Sequence, residues 1–495
     1  ICVFSVVSLT FFFPVNRVFP LDRRSVAVMG ATLCYLSGAI FFPQHSRDLT
    51  NSVDFDVLIL LTGIMAINFI VVHQRETKDL IEHVQEQIKE NPRKGFWLVS
   101  FAAFITSPFL TNDGICLLFV EPILNAFHHA VETGSSVESI IPTAVLTLEK
   151  GDAFYFLIAL ACSSNIGSCL TYTGNPQNMI IAEDSLSVLP SYLFFLYMIV
   201  PGLLSWAVTT LWIERCWMRA RHLNKRLPNP FSSNMELSNR HHAVVNPMNA
   251  SGHGSDSGLV SDRKSDAGID ESNDDVPIAK KVSRIVSSPF PYVVLILTAI
   301  MIALIFVDLI SIAGLICIFA VVMVVVTVVG NHWQGKKAIN TNEFFEELFN
   351  SIDYSLLLIF LGLFIVVEHL SSTGIPKTIW DSIVGDRPFD TFGSVFRISV
   401  FILVASQFLG NVPVIYLAKP NVEDLGDAEK RYAWAVISYV ATVGGNLTIT
   451  GSAANIIVAE KAARIHPSNE INFTNHHKIC FWITLLCVFS GALII

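Results

Sequence analysis

The chain has 495 residues, of which 52% are hydrophobic and 15% charged, with a formal net charge of −9. A soluble domain carries about 25% charged residues, so this composition excludes a string of soluble domains, a disordered chain and a disulfide-stapled secreted domain. The acidic balance does not suggest a nucleic-acid partner, since phosphate neutralisation needs a basic surface, and a polytopic membrane protein remains.

A bilayer core needs about 20 apolar residues per helix. In chain order, full spans are expected at 1–14, 25–43, 54–72, 154–182, 192–213, 290–307, 309–329, 353–370, 432–460 and 478–495. The first reads as clipped: the chain opens at Ile1 inside one apolar run and stops at Ile495 inside another, so both ends read as trimmed. Two further apolar stretches, 97–125 and 395–418, are interrupted at Ser107–Gly114 and Ser406–Pro413. Each half looks too short to cross, which predicts re-entrant hairpins; irregular backbone at that depth survives only where protein or water satisfies it.

Basic residues orient the spans. Arg17, Arg23 and Arg24, then Arg75, Lys78, Lys89, Arg93 and Lys94, then Arg215, Arg219, Arg221, Lys225 and Arg226 mark cytoplasmic loops. The spans then alternate consistently, the first hairpin entering from the cytoplasm and the second from the opposite side. Residues 214–289 form one cytoplasmic insert. Its stretch 228–276 is rich in Ser, Asn, Asp and Gly and is expected to be disordered. The nine cysteines include no CxxC pair and read as buried free thiols.

The two halves echo one another. Asp54–Gly63 aligns with Asp353–Gly362, each an Asp nine residues before a Gly at the head of a span. Ser107–Asn112 and Ser406–Asn411 share Ser-x-Phe-Leu-x-Asn, and Leu170–Ala182 matches Leu447–Ala459 in register. The expected fold is all-α, with two inverted repeats of about five transmembrane helices, residues 1–213 and 290–495. Each repeat carries one hairpin and one broken helix, 154–182 or 432–460. Inverted repeats with paired breaks point to the binding site of a secondary transporter. Small residues that merely pack helices closely do not account for paired Asn, Pro and Thr inside a span.

In the first broken helix, Gly174 and Pro176 predict unwinding near 173–177. The second has no proline there, but Gly444, Gly445, Gly451 and Ser452 can open it less sharply. Opening frees carbonyls and leaves half-helix N-termini facing the gap. With the hairpin tips, these breaks bring a neutral ring of amides and hydroxyls to mid-depth: Thr111, Asn112, Ser164, Asn165, Thr171, Asn175, Asn178, Asn411, Asn446, Thr448, Ser452 and Asn455. Donors of that ring suit oxygens and its acceptors suit hydroxyls.

Asp113 is the charged exception, opposite Val412 in the second copy. A carboxylate at depth costs about 2.5 to 3.5 kcal/mol on insertion scales. Two readings stand: a proton- or cation-coupling group, or a cap on the second helix of the hairpin. Glu368-His369, at a span end, reads as a gate or relay or as an interface pair. There is no HExxH, Walker A sequence, nucleophile elbow or dinucleotide fingerprint. The expectation is therefore not an enzyme but a gradient-driven carrier with no cofactor or metal beyond a coupling proton or sodium. Its partners are a small-molecule solute and the lipid bilayer, with no nucleic acid.

Phe109–Asp113, Ser163–Ser168, Gly174–Asn178, Gly445–Thr448 and Gly451–Asn455 together resemble the citrate-transporter-like, arsenite-permease branch of the ion transporter superfamily. Within it they are most similar to the plant silicon efflux type. The likeness covers about 54–213 and 290–460, not the insert. It implies a two-repeat transporter with re-entrant hairpins, often a homodimer, whose relatives move arsenite, silicic acid, citrate and other carboxylates or exchange sodium for protons. The expectation is proton-coupled efflux of a small hydroxylated metalloid acid by alternating access, with Asp113 coupling, in the plasma membrane or an internal one. The alternative is a sodium- or proton-coupled citrate or dicarboxylate carrier, or a sodium/proton antiporter. Gly114-Ile-Cys116 and Val412 depart from the pattern.

Overall fold

The computed structural model describes residues 28–36, 53–134, 151–226, 291–333, 341–385, 391–465 and 471–495. The expected span 1–14 and the expected disorder of 228–276 lie outside the described residues, and of 25–43 only 28–36, a helix, is described. Two compact units separate, 1–216 with 285–495 and 217–284. All that follows concerns the first, apart from the end of one helix.

The described elements are helical. The first half holds α1 (Phe55–Val72), α2 (Arg75–Glu90), α3 (Pro92–Leu110), α4 (Asn112–Gly134), α5 (Asp152–Ser168), α6 (Pro176–Ser185) and α7 (Ser191–Arg226). The second holds α8 (Pro291–Ile305), α9 (Ile312–Trp333), α10 (Thr341–Ser351), α11 (Tyr354–Ser371), α12 (Ile375–Ile383), α13 (Phe392–Leu409), α14 (Asn411–Glu423), α15 (Asp427–Gly444), α16 (Ala453–Ile465) and α17 (Phe473–Ile494).

The repeated sequence strings build the same local devices. Asp54 accepts from the Val57 N–H at 3.0 Å to cap α1, and Asp353 accepts from the Leu356 N–H at 3.0 Å to cap α11. An N-cap carboxylate satisfies a helix-start donor and suits the positive end of the helix dipole. The matched aspartates at the two span heads are thus helix caps.

Six described helices are long and apolar enough to cross a bilayer: Phe55–Val72, Ser191–Leu223, Ile312–Gly330, Tyr354–Ser371, Phe392–Leu409 and Phe473–Ile494. α8 is apolar but shorter. Their outer faces are stripes of exposed large apolar side chains. On α7, Leu196, Val200, Leu203, Leu204, Val208 and Leu211 recur every turn. In water such stripes would aggregate; on helices of this length they define an integral multi-pass membrane protein.

Some elements differ from expectation. α3, α4 and α13 are 19, 23 and 18 residues long, longer than half-spans. Asn91 caps α3 by accepting from the Lys94 N–H, with Pro92 at the favoured first position. Thr391 caps α13 by accepting from the Ser394 N–H, so polar ends carry both helices outside the apolar run. α7 continues past 213 to Arg226. α2 lies in what reads as a charged loop, but its Val84 and Ile88 are fully buried, and Gly95 of α3 lets the Ile88 backbone approach. Among the described cysteines six are buried as expected, while Cys216 is half-buried and Cys317 is exposed on α9.

A polar centre at two helix breaks

α5 ends at Ser168 rather than running to 173. A 3-10 turn, Tyr172–Gly174, follows, and α6 restarts at Pro176. The gap sits upstream of the expected one because Pro176 starts a helix rather than breaking one. At the first helical position its missing N–H costs nothing, and Asn175 caps α6 by accepting from the Asn178 N–H at 2.9 Å. α15 ends at Gly444, and two 3-10 turns, Gly445–Leu447 and Ile449–Gly451, lead to α16. The matched threonines have nearly the same backbone: Thr171 at φ −134°, ψ 162° and Thr448 at φ −133°, ψ 161°.

Matched asparagines close both gaps alike. Asn178 Nδ2 donates to the Thr171 carbonyl (3.0 Å) and Ser168 carbonyl (3.3 Å). Asn455 Nδ2 donates to Thr448 (3.0 Å) and Gly445 (2.9 Å). The two gaps then bind each other reciprocally. Asn175 Nδ2 donates to Thr442 Oγ1 at 3.3 Å, and Ser452, which matches Asn175, donates to Asn165 Oδ1 at 2.8 Å. Thr442 donates to Asn178 Oδ1 at 3.5 Å, and Asn165 Nδ2 donates to Asn455 Oδ1 at 3.1 Å.

The two interrupted stretches each break at one residue. Thr111 separates α3 from α4 at φ 60°, and Gly410 separates α13 from α14 at φ 88°. A β-branched residue there stores about 1–3 kcal/mol of strain. Thr111 Oγ1 accepts from the Gly114 N–H at 3.3 Å, which supplies the cap that Asp113 was the alternative candidate for. Pro108 stays helical, and its carbonyl accepts from Thr171 (2.5 Å) and Thr173 (2.9 Å). In the second half Thr448 donates to Gln407 Oε1 at 2.8 Å, and Gln407 Nε2 donates to the Gly444 carbonyl.

Asn165 is the hub. Its Nδ2 donates to Asn446 Oδ1 (2.8 Å) and Asn455 Oδ1, and its Oδ1 accepts from Ser452 and from Asn112 Nδ2 (2.9 Å). Backbone carbonyls set the orientation of every amide in this chain. Asn446 Nδ2 donates to the Cys162 carbonyl at 3.3 Å, and Asn455 Nδ2 to Gly445 and Thr448, so both turn their oxygens to Asn165. Asn165 must then face Asn112 with its oxygen, and Asn112 must answer with its nitrogen. Asn112 Oδ1 is left over, buried without a partner, as are Asp113 Oδ1, Asn411 Oδ1, Ser107 Oγ and Asn68 Oδ1. Asn411 lies against Gly445, beside Asn446.

The structure therefore brings the first tip, both gaps and the second tip into one polar centre. Asn112, Asn165, Asn446, Ser452 and Asn455 bond directly. Asn175 and Asn178 meet at Thr442 in an adjoining cluster, where Ser438 donates to Asn178 Oδ1 at 2.7 Å. Ser164 turns aside, donating to the Ala161 carbonyl and meeting Cys116 Sγ at 3.1 Å. Thr171 and Thr448 tie the gaps to α3 and α13 through the Pro108 carbonyl and Gln407. Sequence reasoning missed Thr442, Ser438 and Asn68. Only Asn68 carried a signal, a lone amide inside an apolar span; its Nδ2 donates to the Leu110 carbonyl freed at the first tip (2.8 Å).

Of the other charges, Glu121 is exposed and lies 3.9 Å from Lys461. His369 Nδ1 lies 2.8 Å from the Ile365 carbonyl of its own helix. Among the described residues no group of three or more His, Cys, Asp or Glu is placed to hold a metal ion.

Apolar-walled helices around an internal polar centre, with breaks paired across the chain, define a multi-pass membrane transporter. The citrate transporter family profile matches residues 15–437, and the chain belongs to that family. It is 26% identical to the silicon efflux transporter LSI3 of Oryza sativa subsp. japonica over 499 residues, 94% of this chain and 90% of that protein. It is 25% identical to the putative transporter arsB of Dictyostelium discoideum over 565 residues, 100% of this chain and 91% of that protein. A shorter match, 28% over 123 residues, falls on an uncharacterized transporter of Mycobacterium bovis, 24% of this chain and 29% of that protein.

Proposed function

We propose that the protein is a proton-coupled carrier that exports a small, neutral, hydroxylated metalloid acid of the silicic acid or arsenite class. The two halves act as inverted repeats, the paired stretches α3–α4 and α13–α14 as re-entrant hairpins, and the solute sits between their tips. The observation that carries this reading is the chemistry of the unspent atoms. Most ring members are bonded within the protein, and four of the five buried unpartnered side-chain atoms at the tips are carbonyl or carboxylate oxygens: Asn68, Asn112, Asp113 and Asn411. Such oxygens accept hydrogen bonds and donate none unless Asp113 is protonated. A neutral hydroxylated acid brings O–H donors. Thr111, Asn112 and Asn411 then contact solute, Asp113 takes and releases the proton, and Ser164, Asn165, Thr171, Asn175, Asn178, Asn446, Thr448, Ser452 and Asn455 hold the cradle. The name of the rice relative supports the same solute class.

A second reading, a citrate or dicarboxylate carrier coupled to sodium or protons, is favoured by the family description. The N-termini of α6 and α16 open toward the gaps and can face a carboxylate. Against it, a carboxylate brings acceptors to a tip already rich in them. Flux into liposomes carrying the purified full chain separates the two. Silicic acid or arsenite is expected to move and citrate is not; citrate flux that needs sodium would replace the first reading with the second.

A further inference from the structure

Beside the amides of the polar centre, two thiols from opposite halves of the chain meet. Cys162 Sγ of α5 lies 3.7 Å from Cys480 Sγ of α17. Both are free thiols on buried side chains, 1% and 0% exposed. Each is the other's partner, whereas Cys116 and Cys487 lie against the hydroxyls of Ser164 (3.1 Å) and Thr209 (3.5 Å). Both flanks of the contact are fixed. Cys162 precedes Asn165 by one helical turn, and its carbonyl accepts from Asn446 Nδ2 at 3.3 Å. The carbonyl of Ile479, next to Cys480, accepts from Trp212 Nε1 of α7 at 2.8 Å.

Converging thiols select soft, thiophilic ligands, and their spacing selects among these. With sulfur bonds of about 2.3 Å, a centre that holds two sulfurs in line needs them about 4.6 Å apart. The observed 3.7 Å suits a bent centre instead. Zinc is bent but takes four ligands, and among the described residues no group of three or more His, Cys, Asp or Glu is placed to hold a metal ion. Trivalent arsenic is bent, thiophilic and complete with two sulfurs and one hydroxyl. We propose that Cys162 and Cys480 form a dithiol site for trivalent arsenic, which staples α5 of the first half to α17 of the second. Two As–S bonds form on arsenous acid as two As–O bonds break. Each thiol proton leaves with a hydroxyl as water, and the arsenic stays trivalent. Arsenous acid is neutral, so it brings no charge to this depth. Silicic acid forms no lasting bond to sulfur in water, so the site separates two members of the solute class proposed above. It stands whether or not the chain exports either.

The test needs no solute movement. The full chain in lipid nanodiscs is kept reduced with a phosphine, incubated with arsenite and desalted. Elemental analysis then gives the arsenic retained, and X-ray absorption gives its neighbours. The parent should retain one arsenic per chain, with two sulfur neighbours and one oxygen, and should release it to a small dithiol. Cys162→Ser and Cys480→Ser should each lose it, while Cys317→Ser, at an exposed position on α9, should match the parent. Arsenic seated among the amides of the polar centre would have oxygen neighbours only, so this inference and the transport reading fail separately. No retained arsenic, one or three sulfur neighbours, oxygen neighbours only, or retention unchanged in either Cys162→Ser or Cys480→Ser would each overturn the inference. Melting temperatures close to the parent's identify the variants that count, and the parent's absorption spectrum tests the site without any variant.

Discussion

Asn165→Ala is expected to abolish stable folding of the membrane domain. The side chain is buried and makes four hydrogen bonds. Its removal strands two donors, on Asn112 and Ser452, and two acceptors, on Asn446 and Asn455. Each buried group left unpaired costs about 1–3 kcal/mol, so the total is roughly 4 kcal/mol or more, against a whole-domain stability of about 5–15 kcal/mol. Thermal unfolding of purified protein reads this directly: a collapse in melting temperature or aggregation on extraction is expected. Asn165→Asp keeps the acceptor for Asn112 and Ser452 but faces Asn446 and Asn455 with oxygen against oxygen, so it should fail too. A melting temperature for Asn165→Ala close to the parent's would remove the hub from the account of stability.

Gly167→Ala is expected to have the next largest effect. Pro108 has no N–H to give the Phe104 carbonyl one turn earlier, and Gly167 of α5 packs against that carbonyl. A methyl at Gly167 would fall inside the Phe104 carbonyl oxygen and Ser107 Oγ. The obstacle is helix backbone rather than a flexible side-chain end, so α3 and α5 must part. Overpacking costs about 1–3 kcal/mol and occasionally more. Separation would also pull Asn112 away from Asn165. Gly151→Ala, where nothing lies within 4 Å, is the control and should melt like the parent. If Gly167→Ala matches that control, α3 and α5 are not in close backbone contact.

The breaks were legible in the sequence because Asn, Pro and Gly inside an apolar run are anomalies residue by residue. Their exact edges were not, since Pro176 reads equally as a breaker and as a first helical residue; only the cap from Asn175 decides. α2 was legible as an amphipathic helix, since Ile81, Val84 and Ile88 recur at helical spacing, but its charged stretch holds too few apolar residues to count as a span. The cross-pairing of Asn175 with Thr442 and of Asn165 with Asn455 was out of reach. Thr442 is an ordinary hydroxyl residue in an apolar helix, and its partners lie more than 250 positions away. Which amide oxygens stay unspent could not be read either, because each orientation depends on a chain of bonds ending at the backbone carbonyls of Cys162, Gly445 and Thr448.

The proposed coupling is tested most directly by silicic acid flux in liposomes under an imposed pH gradient, comparing the parent chain with Asp113→Asn. The parent should drive silicic acid against its own gradient while protons run down theirs. The variant should retain the parent's melting temperature and lose the proton-driven component. Equal pH dependence in the two proteins, or silicic acid that only equilibrates in the parent, would contradict proton-coupled export through this centre.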